Sequence, residues 1–163
     1  MLDRPAGELT YRLRPALLED APFLADVALS ALLALRRPPA DFDPDEWRAG
    51  FISWTEEQVR GQVPFNATSV IEVGHSPVGR LRVVRDGQRI ELAGIQLLSE
   101  VQGRGIGTDI VEVLKSEAAR SRVPLELSVE RDNHRARALY ERLGFVKIDD
   151  DGEEERFRWQ GPD

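Results

Sequence analysis

Apolar and polar side chains alternate along several short segments of the chain. In residues 9–14, LTYRLR, an apolar side chain stands at every second position. A period of two is typical of a strand with one buried face. This pattern, together with short apolar runs between turn residues, predicts seven strands. They are residues 9–14, 68–73, 77–84, 89–98, 125–129, 145–148 and 153–159.

Four other segments carry apolar side chains at helical spacing. The first begins near Asp20, an expected N-cap, and the second begins near Asp43, where Pro44 fits the first turn. The third follows three closely spaced glycines, and the fourth ends before Gly144, which suits the left-handed position past a helix. The predicted helices are residues 19–35, 43–60, 107–122 and 134–143.

The order of these elements is β-α-α-β-β-β-α-β-α-β-β. The middle strands are joined by short turns, so an all-parallel doubly wound sheet is excluded. We expect a mixed α/β fold with a central, mostly antiparallel sheet of six to seven strands and helices on both faces. At 163 residues the chain is expected to form a single domain over residues 1–163.

The amino-acid composition of the chain argues against several classes of function. Acidic residues outnumber basic ones, 29 to 22, giving a formal charge of −7, which argues against nucleic-acid binding through bulk charge. No cysteine is present, which excludes disulfides and a cysteine nucleophile. The sequence has no apolar run long enough to span a membrane, and MLDRPAGEL lacks a signal-peptide core. We therefore expect a cytoplasmic protein that binds neither membrane nor nucleic acid.

The stretch VQGRGIGTD, residues 101–109, lies between a predicted strand and a predicted helix. Glycines there would let an oxyanion approach main-chain N–H groups, which the helix N-terminus leaves without intrahelical partners. The spacing of Gly103, Gly105 and Gly107 is one residue short of the dinucleotide motif, and the lysine of a P-loop is missing. From spacing alone, an anion site and a plain strand-to-helix turn are both open.

The neighbouring residues favour one family. Residues 102–107, QGRGIG, resemble the Q/R-x-x-G-x-G/A motif of the GNAT superfamily of N-acetyltransferases, whose ligand is acetyl-coenzyme A. Residues 129–145, VERDNHRARALYERLGF, are similar to a later motif of that family, and residues 12–27 resemble its first strand and helix. The resemblance covers nearly the whole chain and implies a GNAT-like acyl-CoA N-acyltransferase fold.

The resemblance also implies how acetyl-CoA would be held. The pyrophosphate would rest on the main chain of the glycine loop, while the side chain of Ile106 packs inward. The pantetheine arm would pair with exposed backbone of the preceding strand, where the N–H of Leu97 is the candidate oxyanion donor. Gly94 favours a bulge or close approach in that strand. The implied cofactor residues are Ile95, Gln96, Leu97, Gln102, Gly103, Arg104, Gly105, Ile106, Gly107, Thr108, Asn133 and Tyr140.

Three side chains have alternative interpretations. Asn133 either bonds the pantetheine arm or only caps the following helix. Tyr140 is implied to face the departing thiolate, which it would serve by proton donation or by a hydrogen bond, although core packing is typical of a tyrosine at this spacing. Glu91 is either the base that deprotonates the amine or a solvated strand residue, with a water chain as the other base. In a regular strand, Glu91 and Leu97 would share one face.

The acceptor is expected to be an amine on a small molecule or peptide. The carboxylates Asp41, Asp43, Asp45 and Glu46 would suit a cationic amine, although capping and helix-dipole effects also account for them. His75 and His134 show no ligand spacing, so no metal is expected. The function implied is direct acetyl transfer in a ternary complex. The alternatives are a non-catalytic acetyl-CoA sensor and, more distantly, a nucleotide-binding protein, and a homodimer is possible.

Overall fold

The computed structural model describes residues 3–6 and 9–161. Its helices are α1 (Ala21–Leu35), α2 (Pro44–Val59), α3 (Ile106–Ser121) and α4 (His134–Arg142). Its strands are β1 (Asp3–Ala6), β2 (Leu9–Pro15), β3 (Asn66–Val73), β4 (Ser76–Arg85), β5 (Ile90–Leu97), β6 (Leu125–Glu130), β7 (Val146–Asp150) and β8 (Glu154–Trp159). Short 3-10 turns at Leu18–Asp20 and Ser99–Val101 precede α1 and α3. All predicted helices and strands are present.

Strand β1 is an addition to the predicted set. It pairs antiparallel with β2, from Asp3 opposite Arg12 to Ala6 opposite Leu9. Its sequence, DRPA, contains residues that are depleted in strands, and its proline is tolerated because β1 is an edge strand. Part of the N-terminal segment that we expected to lack a signal sequence, namely residues 1, 2, 7 and 8, lies outside the described residues.

The chain divides into two compact units. The first contains residues 1–82 and 94–107, with α1, α2 and strand β2 paired antiparallel to β3. Ala16, Leu24 and Val70 form a buried cluster in this unit. The expectation of a single domain stays a prediction.

The second unit contains residues 83–93 and 108–163. Here β5 pairs parallel with β6, while β6–β8 and β7–β8 are antiparallel. One parallel pair among antiparallel ones is the mixed sheet that the element order predicted, so the fold class is confirmed. Within residues 3–6 and 9–161, every helix is too short or too polar to cross a bilayer.

The starts of α1 and α2 differ from each other. Asp43 caps α2 as predicted, since its Oδ1 accepts from the amides of Asp45 (3.0 Å) and Glu46 (3.3 Å). Asp20 precedes α1, but its carboxylate makes no capping bond to that helix. It accepts from the amide of Leu17 (2.7 Å) and pairs with Arg14 (2.8 Å). Asp20 thus stands at the predicted N-cap position of α1, but its carboxylate bonds Arg14 and Leu17 and does not cap the helix.

Strand β5 holds one more residue than the stretch of β4 opposite it. The amide of Asp86 donates to the carbonyl of Arg89 (3.4 Å) near the hairpin turn. At the other end, the amide of Leu98 donates to the carbonyl of Val78 (2.8 Å). Antiparallel hydrogen bonds join residues that are directly opposite. Nine steps along β5 thus match eight along β4, which is a β-bulge in β5.

The bulge reverses the alternation of side chains along β5. The amide of Ile90 points toward β6, where it donates to Pro124 (2.9 Å), yet the amide of Leu98 points toward β4. Residues eight apart in a regular strand point to the same side. The expectation that Glu91 and Leu97 share one face applied to a regular strand, and β5 is not regular between Ile90 and Leu98.

Candidate functional site

The glycine loop leaves its main chain open to solvent. Gly103 and Gly105 have φ angles of 74° and 86°, which glycine adopts at little steric cost. Residues 102–105 are exposed, whereas Val101 on one side and Ile106 on the other are buried. Two buried anchors thus hold an exposed backbone at the start of α3, where N–H groups and the helix dipole favour an anion. The predicted inward packing of Ile106 is confirmed, since its side chain is 1% exposed.

The loop is tied to the end of β5. The side-chain amide of Gln102 donates to the carbonyl of Leu97 (2.9 Å). A Cβ on Gly107 would lie 4.0 Å from Cδ1 of Ile95, so α3 begins beside this strand. The structure therefore brings Ile95, Leu97, Gln102 and Gly107 together within the first unit. Arg104 and Thr108 belong to the same loop and helix start, with Arg104 exposed at the rim.

The parallel register between β5 and β6 covers Ile90 to Leu92 of the second unit, and β5 continues to Leu97. Since the amide of Leu98 points toward β4, alternation directs the N–H of Leu97 and of Ile95 to the side away from β4. Without the bulge, the N–H of Leu97 would face β4. Gln96 differs from its two neighbours, because its main chain faces β4.

Asn133 and Tyr140 lie in the second unit. Oδ1 of Asn133 accepts from the amide of Ala136 (3.1 Å) and so caps α4. Tyr140 is 9% exposed and makes an edge-to-face contact with Phe145, with ring centroids 5.6 Å apart. Burial raises the pKa of the Tyr140 phenol, which is consequently protonated at neutral pH. Both side chains thus have a structural partner, and their cofactor roles stay predictions.

Glu91 is held by an arginine. Its Oε2 lies 3.2 Å from Nη2 of Arg89, which also pairs with the buried Glu126 (3.0 Å). The contact favours the structural interpretation of Glu91, and its role as base stays a prediction.

The acidic cluster at the start of α2 is exposed throughout. Asp43 uses one carboxylate oxygen for capping, as described above, which supports the structural interpretation of that residue. His75 and His134 are exposed, as expected for surface groups. In the part of the chain that the structure describes, no group of three or more metal-ligating side chains is found.

Arg80 on β4 is a buried charged residue that the sequence did not single out. It is 3% exposed and lies against two aromatic rings of α2. The segment PVGRLRVV predicts a strand, and the packing of α2 shows that Arg80 is covered. The helical spacing of Phe51 and Trp54 is the sequence signal that could have indicated an apolar helix surface packed on this strand.

The exposed main chain of residues 102–105 and the end of β5, joined by Gln102, form a candidate anion site in the first unit. The sequence of residues 28–145 matches the Acetyltransferase (GNAT) family. Since this match covers more than half of the chain, the protein belongs to that family. No curated protein matches the chain.

Solved structures of low sequence identity share the fold. One is the PaiA N-acetyltransferase from Thermoplasma acidophilum in complex with coenzyme A, with a TM-score of 0.76 and 17% identity over 93% of this chain and 99% of that one. Another is an acetyltransferase from Thermus thermophilus, with a TM-score of 0.70 and 23% identity over 93% and 97%. Mycobacterium smegmatis RimJ in complex with CoA-disulfide has a TM-score of 0.66 and 19% identity over 97% and 86%.

Proposed function

We propose that this member of the family is an acetyl-CoA-dependent N-acetyltransferase that acts by direct attack of a primary amine in a ternary complex. The observation that carries the proposal is the cradle of the first unit, in which the exposed glycine loop is fastened by Gln102 to the end of β5. Membership of an acetyltransferase family and a structural relative holding coenzyme A support the same ligand.

The loop would hold the pyrophosphate. Main-chain N–H groups from Gly103 to Thr108 supply the donors, and the dipole of α3 adds favourable potential. The edge of β5 that faces away from β4 would receive the pantetheine arm as an added strand does, through the main chain of Ile95 and Leu97. Asn133 would contribute its side-chain Nδ2 to this arm while Oδ1 caps α4.

The N–H of Leu97 would stabilise the oxyanion of the reaction. When the neutral amine attacks the thioester carbonyl, a C–N bond forms and negative charge develops on the carbonyl oxygen. As the C–S bond breaks, the electron pair leaves with sulfur. The bulge is what turns this N–H away from β4, so the irregularity of β5 has a direct chemical purpose in the proposal.

Tyr140 would stabilise the departing thiolate by a hydrogen bond. A phenol titrates near ~10 and a thiol near ~8.5 in water, so transfer of the phenolic proton is uphill. Burial raises the pKa of Tyr140 further, which makes full transfer less favourable still. The hydrogen bond remains available because the phenol keeps its proton. The ammonium proton of the attacking amine leaves to Glu91 or to water.

The proposal is tested first by calorimetry with acetyl-CoA. We expect binding, and its absence at high micromolar concentration would contradict the function. Gly103→Ala and Gly61→Ala form a matched pair, since φ is 74° and 75° and no atom lies within 4 Å of either added Cβ. Each should cost about 1 kcal/mol of stability, because alanine is strained at positive φ. Only Gly103→Ala should also weaken acetyl-CoA binding, by about tenfold; equal affinities would refute the loop assignment.

The role of Tyr140 is tested by Tyr140→Phe. We expect turnover to fall by about 10²-fold or more, because the thiolate loses its donor, while the affinity for acetyl-CoA changes little. Tyr11→Phe removes the hydroxyl of the other tyrosine in the chain and serves as the control. Unchanged turnover in Tyr140→Phe would remove this residue from the mechanism. Binding of acetyl-CoA without acetylation of any amine would instead indicate a coenzyme A sensor.

A further inference from the structure

Arg80 carries a charge that the fold leaves largely uncompensated. The residue is 3% exposed, and among the described residues no carboxylate forms a salt bridge with it. Its charged neighbour is a second cation, Arg82. Burial, together with the charge of Arg82, lowers the pKa of Arg80 to about 10, so the guanidinium is still charged at neutral pH. A buried unpaired charge is costly, and proteins rarely keep one without a partner.

The guanidinium has one free edge. Nη1 donates to Oε1 of Gln96 (3.0 Å). Nε and Nη2 are buried and have no hydrogen-bond partner among the described residues. The rings of Phe51 and Trp54 lie 4.9 Å and 5.8 Å from Cζ, so the flat faces of the group are occupied by aromatic contacts. What is left is the side-on pair of N–H groups at Nε and Nη2.

The same pair of nitrogens binds carboxylates elsewhere in this protein. In Arg85, at the end of the same strand, Nε and Nη2 donate to the two oxygens of Glu117 (2.6 and 3.0 Å). Arg48 uses the same edge for both oxygens of Asp26 (2.6 and 3.3 Å). This two-pronged geometry is the one that arginine favours for carboxylates. Arg80 presents it with no carboxylate of the chain to receive it.

The guanidinium of Arg80 lies beside the strand that carries the proposed oxyanion donor. Gln96, which accepts from Arg80, immediately precedes Leu97, the proposed oxyanion donor. A Cβ at Gly94 would collide with Nη1 of Arg80, so the glycine allows the guanidinium to lie against β5 next to the bulge. Trp54 packs on the guanidinium and is 36% exposed, so the cluster reaches the protein surface at this side chain.

We propose that Arg80 is the specificity-determining residue of the acceptor site and that the amine acceptor carries a carboxylate. This inference rests on the proposed acetyltransferase function. The side-on edge of Arg80 binds both oxygens of that carboxylate, while the amine lies toward the N–H of Leu97. The acceptor class is therefore an amino acid or a peptide with a carboxylate near its amine, and not a polycation.

The test compares acceptors that differ only in the carboxylate. A panel of L-amino acids and the same amino acids as carboxamides is assayed with acetyl-CoA, and kcat/KM is expressed per neutral amine because the carboxamide changes the amine pKa. We expect the wild-type protein to prefer the carboxylates by about 10²-fold. In Arg80→Met this ratio should fall to near one. A wild-type ratio near one, or an unchanged ratio in Arg80→Met, would overturn the proposal.

Two further variants separate charge from geometry and from folding. Arg80→Lys keeps the charge but has no side-on edge, so the ratio should lie between those of wild type and Arg80→Met. It also serves if Arg80→Met does not fold. Arg85→Met removes a paired arginine from the same strand and should leave the ratio unchanged. A fall of equal size in Arg85→Met would assign the effect to general charge and overturn the proposal.

The outcome is distinguishable from failure of the proposed function. Acetyl-CoA binding is measured by calorimetry on every variant, and its loss in the wild-type protein contradicts the acetyltransferase itself. Acetylation of carboxylates and carboxamides at equal rates contradicts only the role of Arg80. O-phosphoethanolamine and ethanolamine form a third pair. If the preference for the phosphate exceeds the preference for carboxylates, Arg80 binds a phosphate on the acceptor. That result would overturn the proposed carboxylate-bearing acceptor class.

Discussion

Arg14 on β2 and Arg80 on β4 are both shielded arginines of the first unit, but their charges meet opposite surroundings. Arg14 donates to both oxygens of Asp20 (2.8 and 2.9 Å) and to Glu72 (3.0 Å). These contacts raise the pKa of Arg14 and lower those of the two carboxyls. Arg80 donates to one neutral amide, and burial lowers its pKa.

Arg14 stabilises the fold through its ion pairs. The charge of Arg80 has no such partner, and we infer that it serves the acceptor. Removing Arg14 would leave the carboxylate of Asp20 without its cation and that of Glu72 with Arg12 alone. Removing Arg80 would relieve a desolvated charge and disturb only ring contacts and one hydrogen bond to Gln96. Loss of Arg14 should therefore lower the stability of the fold. Loss of Arg80 should instead lower the preference for carboxylate acceptors and leave stability nearly unchanged.

The largest effect on the difference between Arg80 and Arg14 is expected from Gln96→Glu. This change places a carboxylate within reach of Arg80 and gives it the kind of partner that Arg14 has. We expect the preference for carboxylate acceptors to fall by about 10²-fold, because the new side chain competes for the same guanidinium. Acetyl-CoA affinity should persist, since the side chain of Gln96 makes none of its proposed contacts. Gln62→Glu, the same change at an exposed position of the first unit, is the control, and an equal loss there would argue against competition at Arg80.

Chemical denaturation of Arg14→Met and Arg80→Met compares the two charges directly. Arg14→Met should lose about 2 kcal/mol or more of unfolding free energy, because Asp20 stays shielded from water without a cation and Glu72 keeps only Arg12. Arg80→Met should be neutral within about 1 kcal/mol or more stable, since methionine fills a similar volume without desolvation. A large loss in Arg80→Met would show that Arg80 is a structural residue.

The loss of stability at acidic pH should depend on Arg14. The pKa values of Asp20 and Glu72 are lowered in the folded protein, so their contribution is present above the ordinary carboxyl pKa near ~4 and is lost as pH falls below it. Between pH ~5 and ~3, wild type should therefore lose more stability than Arg14→Met. Arg80→Met should follow wild type in this range, and parallel curves for all three proteins would contradict the account of Arg14.

The smallest expected effect is on the unfolding free energy at alkaline pH, and it should depend on Arg80. Its pKa is lowered to about 10, so the folded protein is destabilised by the charge below that pH and gains stability as the group deprotonates above it. The stability difference between Arg80→Met and wild type should thus narrow from pH ~8 to ~11. Arg14→Met should show no such narrowing relative to wild type. A constant difference for Arg80→Met would mean that the charge is compensated.

The sequence predicts the glycine loop better than any other part of the site. Main-chain recognition needs glycines at defined positions before a helix, and QGRGIG meets that requirement within six adjacent residues. The structure adds that Gln102 fastens the loop to Leu97, a contact between residues five apart whose geometry depends on the turn at Ser99–Val101. Local patterns of this kind can be recognised without knowledge of the rest of the fold.

Two features could not be predicted, because each depends on residues far apart in the chain. The bulge in β5 is a mismatch between two strands, and alternation along β5 alone suggests a regular strand that would place Glu91 and Leu97 on one face. The burial of Arg80 depends on α2, about 30 residues away, covering β4. A polar strand face is interpreted as solvated unless the helix that covers it is known.

Acetyl transfer itself is the most direct test of the account. Purified protein is incubated with acetyl-CoA and single L-amino acids, and free thiol is measured alongside the N-acetylated product by mass spectrometry. We predict that thiol release requires the amine and matches the acetylated product mole for mole, with carboxylate-bearing amines the best acceptors. Thiol release without acetylated amine, or no release with any amine, would contradict the assignment of this protein as an N-acetyltransferase.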